Sequence, residues 1–129
     1  RVLADSYRHS GQANKAIETY QKALDIAEAL KSDTLIGHAL GNMGVAYGNV
    51  GQHDQALKCL DQALEISITQ GDEKSQAFAL NNLGITQWRK GEPAKALQYF
   101  QDSIEIKETL GDIRGIAQGQ SNVGLVLNN

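Results

Sequence analysis

Hydrophobic residues recur along the chain at helical spacing. From Ala16 to Leu24, and again from Ala56 to Leu64, apolar side chains fall at i, i+4, i+7 and i+8. The positions between them are mostly polar, and no stretch alternates between apolar and polar residues as a strand does. The pattern therefore predicts amphipathic helices, each of which must bury one face against a neighbour.

The pattern repeats with a period of 40 residues. Glycine occurs at positions 11, 51 and 91, which are 40 residues apart (51 − 11 and 91 − 51). The same register holds for three further sets of identical residues, namely Ala16, Ala56 and Ala96, then Asn42, Asn82 and Asn122, and then Gly44, Gly84 and Gly124. A fixed period in this range is typical of stacked repeats, each of which buries its apolar face on the next.

Helix-capping residues divide each period into two helices. Gly71 and Gly111 are each followed by an aspartate, so a C-terminal glycine precedes an N-cap residue. Ser32 takes the cap position in the first copy, and glycine at 11, 51 and 91 marks the other turn. Pro93 stands at the start of a helix, where its missing N–H is tolerated. A first helix is predicted to end at about residue 10. The helices that follow are predicted at about 13–31, 33–50, 53–70, 73–90, 93–110 and from 113 onward.

The period also divides the chain into units. We interpret residues 1–31 as a partial repeat, 32–71 and 72–111 as full repeats, and 112–129 as the first helix of a further repeat. Terminal repeats normally carry a polar outer face, and neither terminal segment does. We therefore expect a single array that is an excerpt of a longer solenoid and that either self-associates through its open ends or is only modestly stable.

Composition and charge narrow the classes of partner. The chain has 41% hydrophobic and 21% charged residues and a formal net charge of -3, with basic residues interspersed among acidic ones. Phosphate backbones and anionic membrane surfaces require a clustered positive field, so we expect neither as a partner. No apolar run approaches the roughly 20 residues that span a bilayer, and no secretion signal opens the chain. With Cys59 as the single cysteine, we expect a cytoplasmic protein without disulfides.

The residues that keep the register resemble the tetratricopeptide repeat. That repeat has a Leu-Gly pair and a tyrosine in its first helix, followed by an alanine, a large apolar residue and an alanine in its second. The central copy has Met43, Gly44, Tyr47, Ala56, Leu60 and Ala63 at these positions. The next copy has Leu83, Gly84, Ala96 and Phe100, with Gln87 and Ser103 in place of the tyrosine and the second alanine. The first copy has Tyr7, Ala16, Tyr20 and Ala23, with Ala4 in place of the glycine.

The period of 40 residues is longer than the usual period of about 34. In this the chain is similar to the long-helix variety found in the spindle-orientation adaptor LGN, in kinesin light chains and in bacterial regulators. The resemblance implies an all-α fold, a right-handed superhelix of antiparallel helix pairs. It also implies a scaffold without enzymatic activity that holds a peptide or a helix in the concave groove lined by its first helices.

One face of each first helix is left over once its packing face is assigned. Leu40, Met43 and Tyr47 are predicted to pack inward, and the glycines at 44, 84 and 124 to allow close approach of the second helix. The remaining faces of the three first helices carry His38, Asn42, Val45 and Asn49, then Phe78, Asn82, Ile85 and Arg89, and then Gln118, Asn122, Leu125 and Asn129. Stacking would align the equivalent positions of these three sets in four rows across the groove, which are a variable, an asparagine, an aliphatic and a polar row.

Two roles are open for these residues. An asparagine amide both donates and accepts, which suits recognition of a peptide backbone, and Trp88 with Phe78 would anchor a partner side chain. Alternatively, the asparagines bridge neighbouring helices and Trp88 packs against the next repeat.

Enzymatic and cofactor chemistry finds no support in the sequence. The glycine-rich run 41–51 follows no strand and lacks the Gly-Lys-Ser/Thr of a phosphate loop. The three histidines lie in different elements, and no catalytic constellation forms. The basic clamp with which some tetratricopeptide repeats bind C-terminal carboxylates is missing. We therefore predict a protein-interaction scaffold without cofactor or metal. The alternative is a regulatory or architectural arm of a larger signalling protein or enzyme, which contacts its own effector domain or another copy of itself.

Overall fold

Six helices account for nearly all of residues 2–128. The computed structural model describes residues 2–128, with side chains for residues 11–128 except Ala13. The helices are α1 (Val2–Ala29), α2 (Asp33–Asn49), α3 (His53–Gln70), α4 (Glu73–Arg89), α5 (Pro93–Leu110) and α6 (Ile113–Leu127). Each helix packs on the next in chain order, and α4 also touches α2 and α6. The fold is an all-α helical-repeat solenoid, as predicted, and the described residues contain no strand.

The turns between repeats form where the capping residues predict them. The side chains of Ser32, Asp72 and Asp112 accept hydrogen bonds from the backbone N–H three residues later, at the starts of α2, α4 and α6. Gly71 and Gly111 adopt the left-handed conformation that ends α3 and α5, with φ of 66° and 70°. The bounds of α2 to α5 and the start of α6 therefore agree with the predicted ones to within one residue.

The predicted turn at Gly11 is wrong, because α1 continues through this residue as one helix. Gly51 and Gly91 do turn, with φ of 82° and 90°, and at both places the following helix folds back onto the preceding one. Glycine permits a left-handed turn without imposing it, and an uninterrupted helix keeps its backbone hydrogen bonds. The side chains of Ala4 and Tyr7, which carried part of the resemblance, lie outside the described residues.

Close approach of the two helices within a pair builds the core. A Cβ added to Gly44 would lie 2.6 Å from Cγ of Leu60, and one added to Gly84 would lie 2.6 Å from Cε1 of Phe100. Leu60 and Phe100 are 0% and 1% exposed. The same expectation is wrong for Gly124, where an added Cβ would meet nothing within 4 Å. The contact of α5 with this part of α6 is made by Val126 and Val123, which pack with Ala96 and Phe100.

The contrast between these glycines gives a prediction about stability. Gly84→Ala places a methyl group against the buried Phe100 ring, and overpacking of this kind costs about 1–3 kcal/mol. Gly124→Ala meets open space and gains helix propensity of about 0.5–1 kcal/mol. We therefore expect thermal unfolding followed by circular dichroism to give a lower Tm for Gly84→Ala and a higher Tm for Gly124→Ala. Equal Tm shifts in the same direction for the two variants would contradict the conclusion that Gly84 is required for close packing of Phe100.

Candidate functional site

The predicted binding face is the side of the first helices α2, α4 and α6 that does not pack on a second helix. Its residues remain accessible to different degrees. The exposed ones are His38, Asn42, Asn49, Phe78, Arg89, Gln118 and Leu125, and the partly buried ones are Val45, Asn82, Ile85, Trp88 and Asn122. Asn129 lies outside the described residues.

A cavity of about 340 Å³ opens between α2, α3 and α4. It brings together three of the predicted residues, His38, Asn42 and Phe78. Phe78 is 45% exposed and leans on α2, since a Cβ added to Gly41 would lie 3.3 Å from its Cε1 atom. The cavity therefore has an aromatic wall that is half open to solvent.

Polar side chains hold one end of this cavity in place. The Gln70 amide donates to Oγ1 of Thr34 at 3.1 Å, which ties the end of α3 to the start of α2. Oδ1 of Asp72 accepts from the Ser75 backbone N–H at 3.2 Å, and Oδ2 accepts from the Ser75 hydroxyl at 2.7 Å. These two hydrogen bonds, with His38 nearby, lower the pKa of Asp72. The carboxylate is therefore ionised at neutral pH, and both of its oxygens already accept hydrogen bonds from Ser75.

The three asparagines of the predicted row have different surroundings. Asn42 is exposed at the rim of the cavity. The Asn82 amide donates to the Phe78 carbonyl of its own helix at 2.9 Å. The Asn122 amide donates to Oδ1 of the buried Asn81 at 3.0 Å, and so links α6 to α4. The helix-bridging alternative therefore describes Asn122, whereas the side chain of Asn42 faces the groove.

Trp88 lies in the scaffold instead of standing free in the groove. It packs with Ile85 against a buried cluster formed by Ala96, Phe100 and Val126, which joins α4, α5 and α6. Packing against the neighbouring repeat, the second of the two roles considered for Trp88, is the one that the structure shows. Of the two aromatic residues predicted as anchors, Phe78 is the exposed one.

Sequence reasoning missed several residues of the cavity. Gly37 and Gly41 form part of its α2 side, and Thr34, Gln70 and Asp72 form its polar end. A signal for the first two was present, because the 40-residue register places larger residues, an alanine and an asparagine, at the equivalent positions of α4. Smaller residues on one first helix than on the next let neighbouring side chains approach more closely, as Ile66 and Phe78 do here.

Comparison with known proteins agrees with this geometry. A sequence profile described as the tetratricopeptide repeat matches residues 1–69 and 35–109. The chain belongs to the tetratricopeptide repeat family. It is also similar to the crystal structure of BtubC (BKLC) from P. vanneervenii, with a TM-score of 0.81 and 26% sequence identity over 97% of this chain and 52% of that chain. The chain spans about half the length of that protein. None of the curated proteins matches it.

The tetratricopeptide repeats α2–α3 and α4–α5 carry no arrangement that points to a metal. Within residues 2–128, three or more histidine, cysteine or acidic side chains nowhere converge as they would around a metal ion. Among the same residues, no helix combines the length and the apolar character that a membrane span needs.

In the tetratricopeptide array, α5 directs two buried polar side chains to its neighbours, Ser103 to α4 and Lys107 to α6. The Ser103 hydroxyl donates to the Ala77 carbonyl at 3.0 Å, and the Lys107 ammonium donates to the Gly115 carbonyl at 3.4 Å. Lys107 is 8% exposed and takes the place that Ser67 holds in the preceding repeat. Burial lowers the pKa of Lys107, and the nearby Asp112 carboxylate offsets this only in part.

This buried lysine gives a prediction about pH. Because the pKa of Lys107 is lower in the folded chain, the unfolded chain binds more protons just below pH 10.5, and stability rises with pH there. Lys107→Met keeps the aliphatic body and removes the charge. We expect it to raise the urea midpoint at pH 7, with a gain that shrinks as the pH approaches 10.5. The exposed Lys58→Met serves as control and is expected to change little at either pH. If Lys107→Met instead lowered the urea midpoint, by the same amount at pH 7 and near pH 10.5, the assignment of Lys107 as a destabilising buried charge would be contradicted.

Proposed function

We propose that this chain is a protein-interaction scaffold that binds a segment of a partner protein along the exposed face of α2, α4 and α6. Tetratricopeptide repeats generally mediate protein–protein interactions, which supports this class of function. The observation that carries the proposal is the cavity of about 340 Å³ between α2 and α4, with the half-exposed Phe78 at its wall. Scaffolding without catalysis is the role that we infer.

The chemistry of this face suits an extended peptide. Asn42 stands exposed beside the cavity, and its amide has a donor and an acceptor for a peptide backbone. Phe78 supplies apolar area at the place where a partner side chain would be desolvated. Polar groups around an aromatic contact are the usual composition of a binding interface. The 40-residue period supports the further proposal that the chain is of the long-helix variety.

A second candidate is contact with another domain of the same polypeptide or with a second copy of the chain. The observation that favours it is the exposure of Ile113 and Leu127 on α6, at 81% and 67%. This contact would use the outer face of α6, whereas the proposed peptide would use the cavity between α2 and α4. Substitutions at the cavity therefore distinguish the two candidates.

Peptide display tests the main proposal. The 129-residue chain would be immobilised and used to select peptides from a random library, and binding of the selected peptides would be measured by fluorescence anisotropy. We expect Phe78→Ala to weaken binding about 10-fold or more, as loss of an aromatic anchor does. Ile68→Ala is the matched control, because Ile68 is 58% exposed on α3 and does not line the cavity.

Two outcomes would overturn the proposed function. One is that no peptide is selected whose binding depends on Phe78. The other is that Phe78→Ala and Ile68→Ala weaken binding equally, which would place the peptide elsewhere on the surface.

A further inference from the structure

The space between α2 and α4 and the corresponding space between α4 and α6 are bounded by different residues. α2 presents Gly37 and Gly41 where α4 presents Ala77 and Asn81, 40 positions later. Asn81 is 8% exposed and accepts the hydrogen bond from Asn122. In the first groove the Phe78 ring lies against the glycine at position 41, at the place that an asparagine takes in the second groove.

The open cavity has a polar end and an apolar end. The hydrogen bond from Gln70 to Thr34 lies at the start of α2, and seven residues later Gly41 lies against Phe78. At a rise of 1.5 Å per residue these two levels are about 10 Å apart. The polar end is lined by Thr34, Gln70, Asp72 and Ser75, and the apolar end by Gly41, Ala63, Phe78 and Ala79.

The charges of the lining favour a neutral occupant. Asp72 is the acidic side chain of the lining, and Lys74 and His38 are the basic ones. Both carboxylate oxygens of Asp72 already accept hydrogen bonds from Ser75. Charges of both signs therefore line the cavity, and a charged side chain from a partner would meet at least one like charge, which is Asp72 for an acid and Lys74 for a base.

The polar end still offers an acceptor. The Gln70 amide nitrogen is engaged with Thr34, and its carbonyl oxygen accepts no hydrogen bond from the described residues. Gln70 is exposed at the end of α3, so this oxygen is accessible from the cavity. A side chain with an apolar body and a hydroxyl at its tip would satisfy both ends.

Resting on the proposed function, we propose that the cavity between α2, α3 and α4 binds the side chain of one tyrosine of the partner segment. The ring lies against the exposed part of Phe78, and the phenol hydroxyl donates to Gln70 at the polar end. A tyrosine has the required apolar body and polar tip, and a cavity of about 340 Å³ is large enough for a single aromatic side chain. Gly41 lets the Phe78 ring lie against α2, and an asparagine at this position would displace the ring that forms the apolar wall.

Titration with blocked amino acids tests this site without a known partner. The probes are N-acetyltyrosine amide, N-acetylphenylalanine amide and N-acetyllysine amide, and the readout is the set of backbone amide shifts of the 129-residue chain. We expect the tyrosine probe to give saturable shifts within 34–42 and 70–79. The phenylalanine probe should bind about 3- to 10-fold more weakly, since it lacks one hydrogen bond, and the lysine probe should not saturate.

Three variants make the titration specific. Gly41→Asn should abolish binding of the tyrosine probe, and Gly124→Asn, the same change at an open position of α6, should leave it unchanged. Gln70→Leu should remove the preference for tyrosine over phenylalanine. Leucine is the residue at the equivalent position 110, so this variant is expected to fold. Circular dichroism confirms the helix content of each variant.

The tyrosine site would be overturned by any of three results. These are the absence of saturable shifts in the unmodified chain, equal affinity for the tyrosine and phenylalanine probes, and undiminished binding in Gly41→Asn. Displayed peptides that depend on Phe78 but tolerate Gly41→Asn would overturn the tyrosine site and leave the scaffold function standing. If the tyrosine probe bound but no displayed peptide depended on Phe78, the scaffold function would be overturned and the tyrosine site would stand.

Discussion

The packing of a large second-helix side chain onto a first-helix glycine is the contact on which the rest of the structure depends. Leu60 lies on Gly44 and Phe100 lies on Gly84, and both large side chains are almost fully buried. Glycine in a helix costs about 1 kcal/mol relative to alanine. Burial of a leucine or phenylalanine side chain contributes about 1.5–3 kcal/mol, so the close approach offsets that cost. The pairs formed in this way then stack on one another.

Equivalent buried positions of the two repeats carry different residues. At position 41 of the register a glycine lies against Phe78, whereas the next repeat has the buried Asn81, which accepts a hydrogen bond from Asn122. At position 67, on the second helix, a buried serine is followed by the buried Lys107. The two grooves therefore share a backbone and differ in what they are able to accommodate.

The features that depend on local interactions could be predicted from the sequence. The helices from α2 to α6 follow from apolar periodicity and from caps such as Asp72 and Gly71, which act within a few residues of themselves. The continuation of α1 through Gly11 could not be predicted in this way, because glycine allows both a turn and a helix and packing with other helices decides between them.

The candidate site was harder to predict because its properties depend on pairs of helices. Asn42 and Asn122 occupy equivalent positions, yet only Asn122 meets an asparagine on the preceding first helix. Trp88 packs into a cluster to which α6 contributes Val126, a contact that the α4 sequence does not reveal. The cavity lies where glycines at 37 and 41 let Ile66 and Phe78 approach α2 closely, and this difference becomes visible only when the equivalent positions of two repeats are compared.

Hydrogen–deuterium exchange with a peptide selected on the chain would locate the binding face. The account predicts slower exchange in α2 and α4 when the peptide is bound, with the largest change between positions 34 and 42 and between 74 and 82. It predicts little change in α3 and α5 away from the cavity. Protection concentrated on the outer faces of α3 and α5, with α2 and α4 unchanged, would contradict the assignment of the first helices as the binding face.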